Sequence, residues 1–243
     1  MLAALLVMVL AAIGGFARAQ TLTADLSDHI IGIRTGFIGA TLVLFGTTDK
    51  PGDIVVVVRG NPTELTVRRK QKIAGVWING SRAEFRDTPS FYTVAATRPL
   101  GDVTTADTLA RHAIGVDTLR PASMEPMADA DLQTFRAALI AGQERSGLFR
   151  DTIAPVTFMG EHLFRTDIWF PANVPTGSYS VEVYLFSGGE LVSAQTTPLV
   201  VSRVGFSNGV FVVAQHHAVL YGAGALIFAV AAGWTAGAIF RRV

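Results

Sequence analysis

The sequence predicts a mainly β protein: an immunoglobulin-like β-sandwich with an α-helical insertion and one C-terminal transmembrane helix. Three observations lead to this prediction. Two blocks of short apolar runs are divided by Gly and Pro turns, a helical pattern lies between them, and an uncharged apolar stretch lies near the C-terminus. Half of the 243 residues are hydrophobic and the net charge is only +1, so a large core can form although cysteine is absent.

The N-terminal segment has the composition of a secretory signal. Residues 2–17 are uncharged, and Ala17-Arg18-Ala19 has the small-x-small pattern that precedes cleavage. We expect residues 1–19 to be a signal peptide, with a mature chain from Gln20. Because no Lys or Arg precedes the apolar run, an uncleaved anchor is the alternative. Either reading places residues 20–215 outside the cytoplasmic membrane, in the periplasm.

The first β-rich block covers residues 30–97, ending with "SFYTVAAT". Apolar and small residues alternate over residues 30–46, and residues 54–58 form a β-branched run that suits a strand buried on both faces. After the turn signal Gly60-Asn61-Pro62, the sequence "ELTVRRK" predicts a pairing strand.

The second β-rich block covers residues 154–205. Alternation in "LFRTDIWFP" predicts a strand whose core face holds Phe164, Thr166, Ile168 and Phe170. The next segment predicts a long hairpin with a tight turn at Gly188-Gly189. Its core-facing residues are predicted to be Tyr179, Val181, Val183 and Leu185.

The region between the blocks, residues 104–148, is predicted to be helical. "ADADLQTFRAALIAGQERSG" has an acidic start and a glycine stop, and a shorter helix is predicted over residues 107–113. The apolar face of the longer helix holds Leu132, Phe135, Leu139 and Ile140. We interpret the region as an insertion packed over one sheet; two small sandwiches are the alternative.

A transmembrane helix is predicted over residues 216–240. Residues 218–240 carry no charge, and Arg241-Arg242 follow, which places a short tail, 241–243, in the cytoplasm. The protein is therefore expected in the inner membrane as a single-pass protein. Small residues recur at every fourth position, which predicts packing against a second copy or an integral membrane partner. These residues are Ala225, Ala229, Gly233 and Gly237.

A dense basic cluster is the candidate docking site for a partner. It consists of Arg68, Arg69, Lys70 and Lys72. Residues 59–86 hold seven basic against two acidic residues, net +5, whereas residues 101–145 hold four against seven, net −3. The helical insertion can therefore neutralise the cluster internally, or the cluster can meet an anionic partner or lipid headgroups. Nucleic acid is excluded because the segment is expected to face outward.

No arrangement of residues predicts catalysis. A Gly-x-Ser-x-Gly motif is absent, and the lack of cysteine excludes thiol chemistry and iron–sulfur ligation. We therefore expect neither an enzyme nor a bound cofactor. Thioether and imidazole groups would suit copper, and the candidate ligands are Met124, Met127, His112 and His162. The alternative for the methionines is a Pro-containing loop tucked onto the domain.

The ordered motifs resemble a known family. The stretches "GFIGATLVLFG", "DIVVVVRG", "VRRKQKIAGVWIN", "LFRTDIWFPANVPTGSYSVEVYLF" and "LYGAGALIFAVAAGWTAGAIFRR" are similar to those of uncharacterised alphaproteobacterial transmembrane proteins. The resemblance implies a signal segment, an exterior β-rich domain and one C-terminal span. It implies no reaction and no catalytic residues, and it suggests an association with transporters of the sulfite-exporter type.

These observations predict a membrane-anchored periplasmic interaction or accessory module of an inner-membrane complex, associated with a transporter. The alternative function is a periplasmic ligand- or metal-binding protein, with copper or an anion as the ligand.

Overall fold

The computed structural model describes residues 22–73 and 76–204, together with the helical residues 222, 226, 229–231, 233 and 234. Thirteen strands lie within the described residues. They are β1 Leu22–Leu26, β2 Ile30–Ile33, β3 Gly39–Thr48, β4 Asp53–Arg59, β5 Pro62–Ile73, β6 Val76–Pro89, β7 Tyr92–Ala96, β8 Ala122–Ser123, β9 Ala154–Pro155, β10 Thr157–Met159, β11 Leu163–Pro171, β12 Gly177–Ser187 and β13 Glu190–Arg203.

The helices of residues 22–204 lie between β7 and β9. They are α1 Leu100–Val103, α2 Ala106–Arg111, a 3₁₀ helix at Val116–Thr118 and α3 Asp129–Arg145. At the start of α2, the hydroxyl of Thr105 accepts the backbone N–H of Thr108, which satisfies one of the free donors of the first turn. Asp129 and Asp131 lie in the first turn of α3, where the helix dipole favours negative charge.

Two sheets form a sandwich, with strand orders β1-β3-β11-β10 and β2-β13-β12-β4-β7-β9. Neighbouring strands are antiparallel except for the pairs β2–β13 and β7–β9, which are parallel. Both sheets combine strands from the first and second β-rich blocks, so the two blocks build one sandwich. A third sheet, β5-β6-β8, lies outside it.

The strand arrangement is that of an immunoglobulin-like sandwich. β1, β3, β11 and β10 occupy the order A-B-E-D, and β4, β12 and β13 occupy the order C-F-G. Near the start of β12, the Tyr179 hydroxyl donates to the carbonyl of Pro175 at 2.6 Å, which is the tyrosine corner of such domains. Burial raises the pKa of Tyr179 to about 12, so the hydroxyl stays a neutral donor.

The predicted double burial of residues 54–58 is confirmed. Ile54, Val56 and Val58 lie in the core between the two sheets. Val55 and Val57 point the other way, into a second core beneath the helices. The predicted core-facing residues of β11 and β12 are also buried. The six-stranded sheet is therefore covered on both sides, whereas the described elements cover the four-stranded sheet on one side.

A buried polar network holds the helical region on the six-stranded sheet. Arg59 of β4 is bonded through Nη1 to the Glu182 carboxylate, and its Nη2 donates to the carbonyls of His112 at 2.7 Å and Ala113 at 3.0 Å. The Tyr92 hydroxyl donates to Ala113 as well, at 2.8 Å. Burial alone would lower the pKa of Arg59, but the hydrogen bond and charge of Glu182 outweigh it and raise the pKa.

A second ion pair fixes the segment that enters the helices. Arg98 Nε donates to Asp53 Oδ1 at 2.7 Å, and the Thr97 hydroxyl donates to the same oxygen at 2.9 Å. The hydrogen bond from Arg98 holds the pKa of Asp53 below its usual range, against the opposing effect of burial.

We expect the free energy of unfolding of Asp53→Asn to depend less on pH in acid than that of the wild-type protein. Because the folded-state pKa of Asp53 is lowered, its carboxylate stabilises the fold above about pH 4. That contribution is lost as the pH falls through the lowered pKa. The free energy of unfolding, measured between pH 6 and pH 3, should fall less steeply in the variant. Arg98→Ala should show the same change, and a wild-type slope in both variants would contradict the assignment.

The fold-class prediction is right in being mainly β and wrong in its transmembrane helix. In the part of the chain that the structure describes, no helix is both long and apolar enough to cross a bilayer. A spanning helix needs about 20 apolar residues, whereas the 17-residue α3 carries charged side chains in both end turns. Most of residues 216–240 lies outside the described residues, as do the predicted signal peptide and cytoplasmic tail.

Candidate docking surfaces

The basic cluster lies on a long hairpin, formed by β5 and β6 and called here the basic hairpin. Its strands have 12 and 14 residues. Helix α3 packs against one face of this hairpin, around a small core separate from the sandwich. Ala83 and Phe85 of β6 and Phe135 and Leu139 of α3 are the buried residues of that core.

The Arg69 side chain contacts two residues of α3. Its Nη2 lies 3.1 Å from Asp131 Oδ1, and its guanidinium lies over the Phe135 ring, 4.9 Å from the centroid. Both partners belong to α3, so the acidic insertion does neutralise part of the basic cluster. Because both ends of the ion pair are about half exposed, it contributes at most about 1 kcal/mol, and the cation–π contact adds about 0.5–1 kcal/mol.

The other three cations of the cluster remain free. The side chains of Arg68, Lys70 and Lys72 are exposed, and within residues 22–73 and 76–204 these side chains form no ion pair or hydrogen bond. Arg68 also lies directly opposite Arg82 in the β5–β6 ladder. Like charges in this position repel each other, so the fold leaves an electrostatic cost that an anion would relieve. Docking through these residues stays a prediction.

The four candidate copper ligands lie in three different places. The His112 ring packs on Tyr184, with centroids 5.6 Å apart, on the outer side of the six-stranded sheet. His162 Nδ1 lies 2.9 Å from the carbonyl of Thr48, beside the four-stranded sheet. Met127 packs into the core of the hairpin, and Met124 is exposed in the same loop. The fold therefore does not assemble them into one site.

The predicted packing face of the C-terminal segment is only partly described. Ala229 and Gly233 are helical and exposed. A Cβ added at Gly233 would meet no atom within 4 Å among the residues described. Ala225 and Gly237 lie outside those residues, so association through this face stays a prediction.

A second surface was not anticipated from the sequence. The outer side of the four-stranded sheet, called here the open face, is covered by no described element. It exposes Phe45, Met159, Leu163 and Trp169, with Trp169 and Phe45 about two-fifths exposed. Arg165 and Asp167 form an ion pair of 3.0 Å between these apolar side chains.

The backbone beneath Trp169 is specialised. Gly39 has φ of +121°, and a Cβ there would lie 2.5 Å from Trp169 Cζ2. Only glycine therefore lets the indole lie on the strand. Next to it, a cavity of about 280 Å³ opens between β11 and residues 150–155, with Trp169 and Asp167 in its wall. The pairing of β10 with β11 ends at Arg165. Among the described residues, no strand pairs with the part of the β11 edge that borders this cavity.

The sequence contained a signal for the open face that alternation alone does not reveal. On β11, Arg165 and Asp167 lie on the side opposite the predicted core face. The same face holds Leu163 and Trp169 at the two flanking positions. Two large apolar residues around a charge pair are typical of a surface that makes contacts, since interfaces are enriched in aromatic residues and arginine.

The fold and its surfaces define a β-sandwich domain with one face covered by helices, one open face and a projecting basic hairpin. The family model described as "Putative transmembrane protein (Alph_Pro_TM)" matches residues 21–242. The chain therefore belongs to this family of transmembrane proteins, which confirms the resemblance at that level. No curated protein matches the chain.

Proposed function

We propose that this protein is a non-catalytic, membrane-anchored accessory module of an inner-membrane complex, with its β-sandwich in the periplasm. Membership of a transmembrane family supports a place at the membrane. The apolar N-terminal run ending in Ala17-Arg18-Ala19 supports export of the sandwich. A transporter is the class of complex that the family resemblance suggests.

The open face is the observation that carries this proposal. Helices cover the outer side of the six-stranded sheet, so the sandwich buries one of its two outer sides by itself. The other outer side keeps four large apolar side chains in water. Exposed aromatic residues in such patches mark protein contacts, and tryptophan and tyrosine dominate the energy of interfaces.

The surroundings of Trp169 fit an anchor residue of a protein interface. The ring packs against Gly39, so little side-chain entropy would be lost when a partner covers it. The adjacent cavity can accept an apolar side chain of the partner. Arg165 and Asp167 supply one charge of each sign next to these contacts, which would fix the orientation of a partner rather than add much affinity.

We expect Phe45→Ser/Trp169→Ser to lose the partner. The full-length protein, affinity-tagged and extracted in mild detergent, should retain one stoichiometric membrane-protein partner, identified by mass spectrometry. Removing two central aromatic side chains should reduce its recovery at least tenfold, since an interface anchor contributes about 2 kcal/mol or more.

Val192→Ser is the matched control. Val192 lies on β13 of the other sheet and is 38% exposed, close to the 43% of Phe45. Its substitution should leave recovery of the partner unchanged. If the wild-type protein is repeatedly purified in good yield without a partner, the result would argue strongly against the proposal. Equal recovery of the partner with the wild type, the double variant and Val192→Ser would do the same.

The alternative function, binding of copper or another small ligand, receives no comparable support. Its candidate ligands His112, His162 and Met124 lie apart, as described above. Moreover, no group of three or more His, Asp or Glu side chains in the described part of the chain could hold a metal ion.

A further inference from the structure

We propose that the basic hairpin binds anionic lipid headgroups, so that its outer part lies on the surface of the membrane. The proposed site consists of Arg68, Lys70, Lys72 and Arg82 on one side of the hairpin. This inference does not depend on the open face, because it concerns a different surface and a different ligand.

The first argument is the distribution of charge. The side of β6 that faces α3 carries Ala83 and Phe85, so Arg82 points to the opposite side by strand alternation. Arg68 lies opposite Arg82, and Lys70 and Lys72 continue the row on β5. Asp131 pairs with Arg69, and Arg82 meets Glu84 only at 3.6 Å. An excess of positive charge therefore remains along the outer part of the hairpin.

The second argument is position. The hairpin begins beside Asn61, whose side chain touches Gly177 at the start of β12. Gly177 pairs with Val201 of β13. Directly after β13, the N–H of Val204 donates to the carbonyl of Ile33 at 2.9 Å. From this end of the sandwich the chain continues toward the uncharged apolar residues 218–240. The hairpin and the membrane-directed part of the chain thus leave the sandwich at the same end.

The third argument is the mixture of residue types. Ile78 near the tip of the hairpin is 43% exposed. It pairs with Gln71, so it lies on the other side of the narrow hairpin from Lys70 and Lys72. Lysine and arginine reach phosphates while their aliphatic stems and nearby apolar groups enter the interface. A protein partner would need its own acidic surface shaped to a narrow two-stranded arm. A bilayer offers many headgroups to cations spaced along both strands.

The experiment uses the complete chain in nanodiscs made of phosphatidylcholine alone or mixed with phosphatidylglycerol. Because the sequence contains no cysteine, Ile78→Cys provides a unique position for the polarity-sensitive fluorophore nitrobenzoxadiazole. Val192→Cys is the matched control. It has similar exposure, and it lies near the β12–β13 turn, at the end of the sandwich away from the hairpin base.

We expect the probe at residue 78 to shift to shorter wavelength as the phosphatidylglycerol fraction rises, and the probe at residue 192 to stay unchanged. In the triple variant Arg68→Gln/Lys70→Gln/Lys72→Gln, the equilibrium constant for lipid contact should fall on the order of 100-fold. Each lost cation reduces this constant roughly fivefold, and the three factors multiply. High salt should abolish the shift in the wild-type protein, since exposed charges are screened.

Three results would overturn the proposal. The probe at residue 78 could report the same environment in neutral and anionic nanodiscs, or the shift could persist unchanged in the triple variant. Alternatively, the shift could require a co-purified protein rather than phosphatidylglycerol, which would identify an acidic protein surface as the ligand. If the triple variant does not fold, the salt titration of the wild-type protein decides, because a shift that survives high salt is not electrostatic.

Discussion

Replacing Arg59 with alanine is expected to lower the free energy of unfolding by about 3–5 kcal/mol, the usual cost of removing one partner of a buried ion pair. Arg59 and Glu182 are each only 19% exposed. Without the guanidinium, the Glu182 carboxylate stays in a poorly solvated site. The carbonyls of His112 and Ala113 lose their donor as well, so the helical region should separate from the sheet.

The loss at Arg59 can be measured by guanidinium denaturation of the full-length protein in mild detergent, followed by tryptophan fluorescence. Arg165→Ala is the control, because Arg165 also pairs with a carboxylate, but both Arg165 and its partner Asp167 are about half exposed; its effect should be far smaller. Adding Glu182→Gln to an Arg59→Met background should recover part of the loss, since no charge is then left unpaired. Equal effects of Arg59→Ala and Arg165→Ala would refute this account of the network.

Phe91→Ala should be about as costly, again about 3–5 kcal/mol. The Phe91 ring is fully buried. It stacks on Phe170 with centroids 5.0 Å apart and tilts against Tyr179 at 5.9 Å. Its carbonyl accepts the N–H of Gly60 at 2.8 Å, at the base of the basic hairpin. The substitution would leave a cavity in the sandwich core and loosen the hairpin at its base.

Two measurements test the role of Phe91. The free energy of unfolding should fall as stated, and amide hydrogen exchange in β5 and β6 should become faster under native conditions. Phe45→Ala removes the same ring from the open face, where it is 43% exposed, and should cost about 1 kcal/mol or less. A similar loss for both variants would show that the buried aromatic cluster contributes nothing beyond ordinary surface contacts.

The strands of the sandwich were predictable because their burial follows the local sequence. The β-branched run of β4 indicates burial on both sides, and the alternation of β11 and β12 indicates which side faces the core. The apolar face of α3 was predictable for the same reason, as Phe135 and Leu139 recur at helical spacing and are buried. In these segments, the side chains that the local sequence pattern predicts to be buried are the ones that the fold buries.

The basic hairpin was less predictable, because β-bulges interrupt its pattern. Arg69 on β5 faces two residues on β6, Gly80 and Ser81, between the regular pairs on either side. A second irregularity opposite Glu64 holds Asp87 at φ 55°. Each extra residue changes which side the following side chains take. A single 14-residue strand therefore has no continuous alternation.

Contacts between distant parts of the chain were not predictable from residue types. Arg59 and Glu182 are 123 positions apart, and neither neighbourhood marks the other as its partner. The open face was missed for a related reason. Alternation separates a core side from an outer side, but whether another element covers the outer side depends on the complete topology.

The parallel pairing of β2 with β13 has a mechanical consequence. β1 begins beside the C-terminal end of β3, whereas Val204 leaves at the opposite end of the sandwich, next to Ile33. A pull between the two ends would therefore act along the strands. The hydrogen bonds joining β13 to β2 and β12 lie across that direction and would share the load in shear, rather than open one after another. β13 would therefore resist separation from the sandwich when tension acts along the strands.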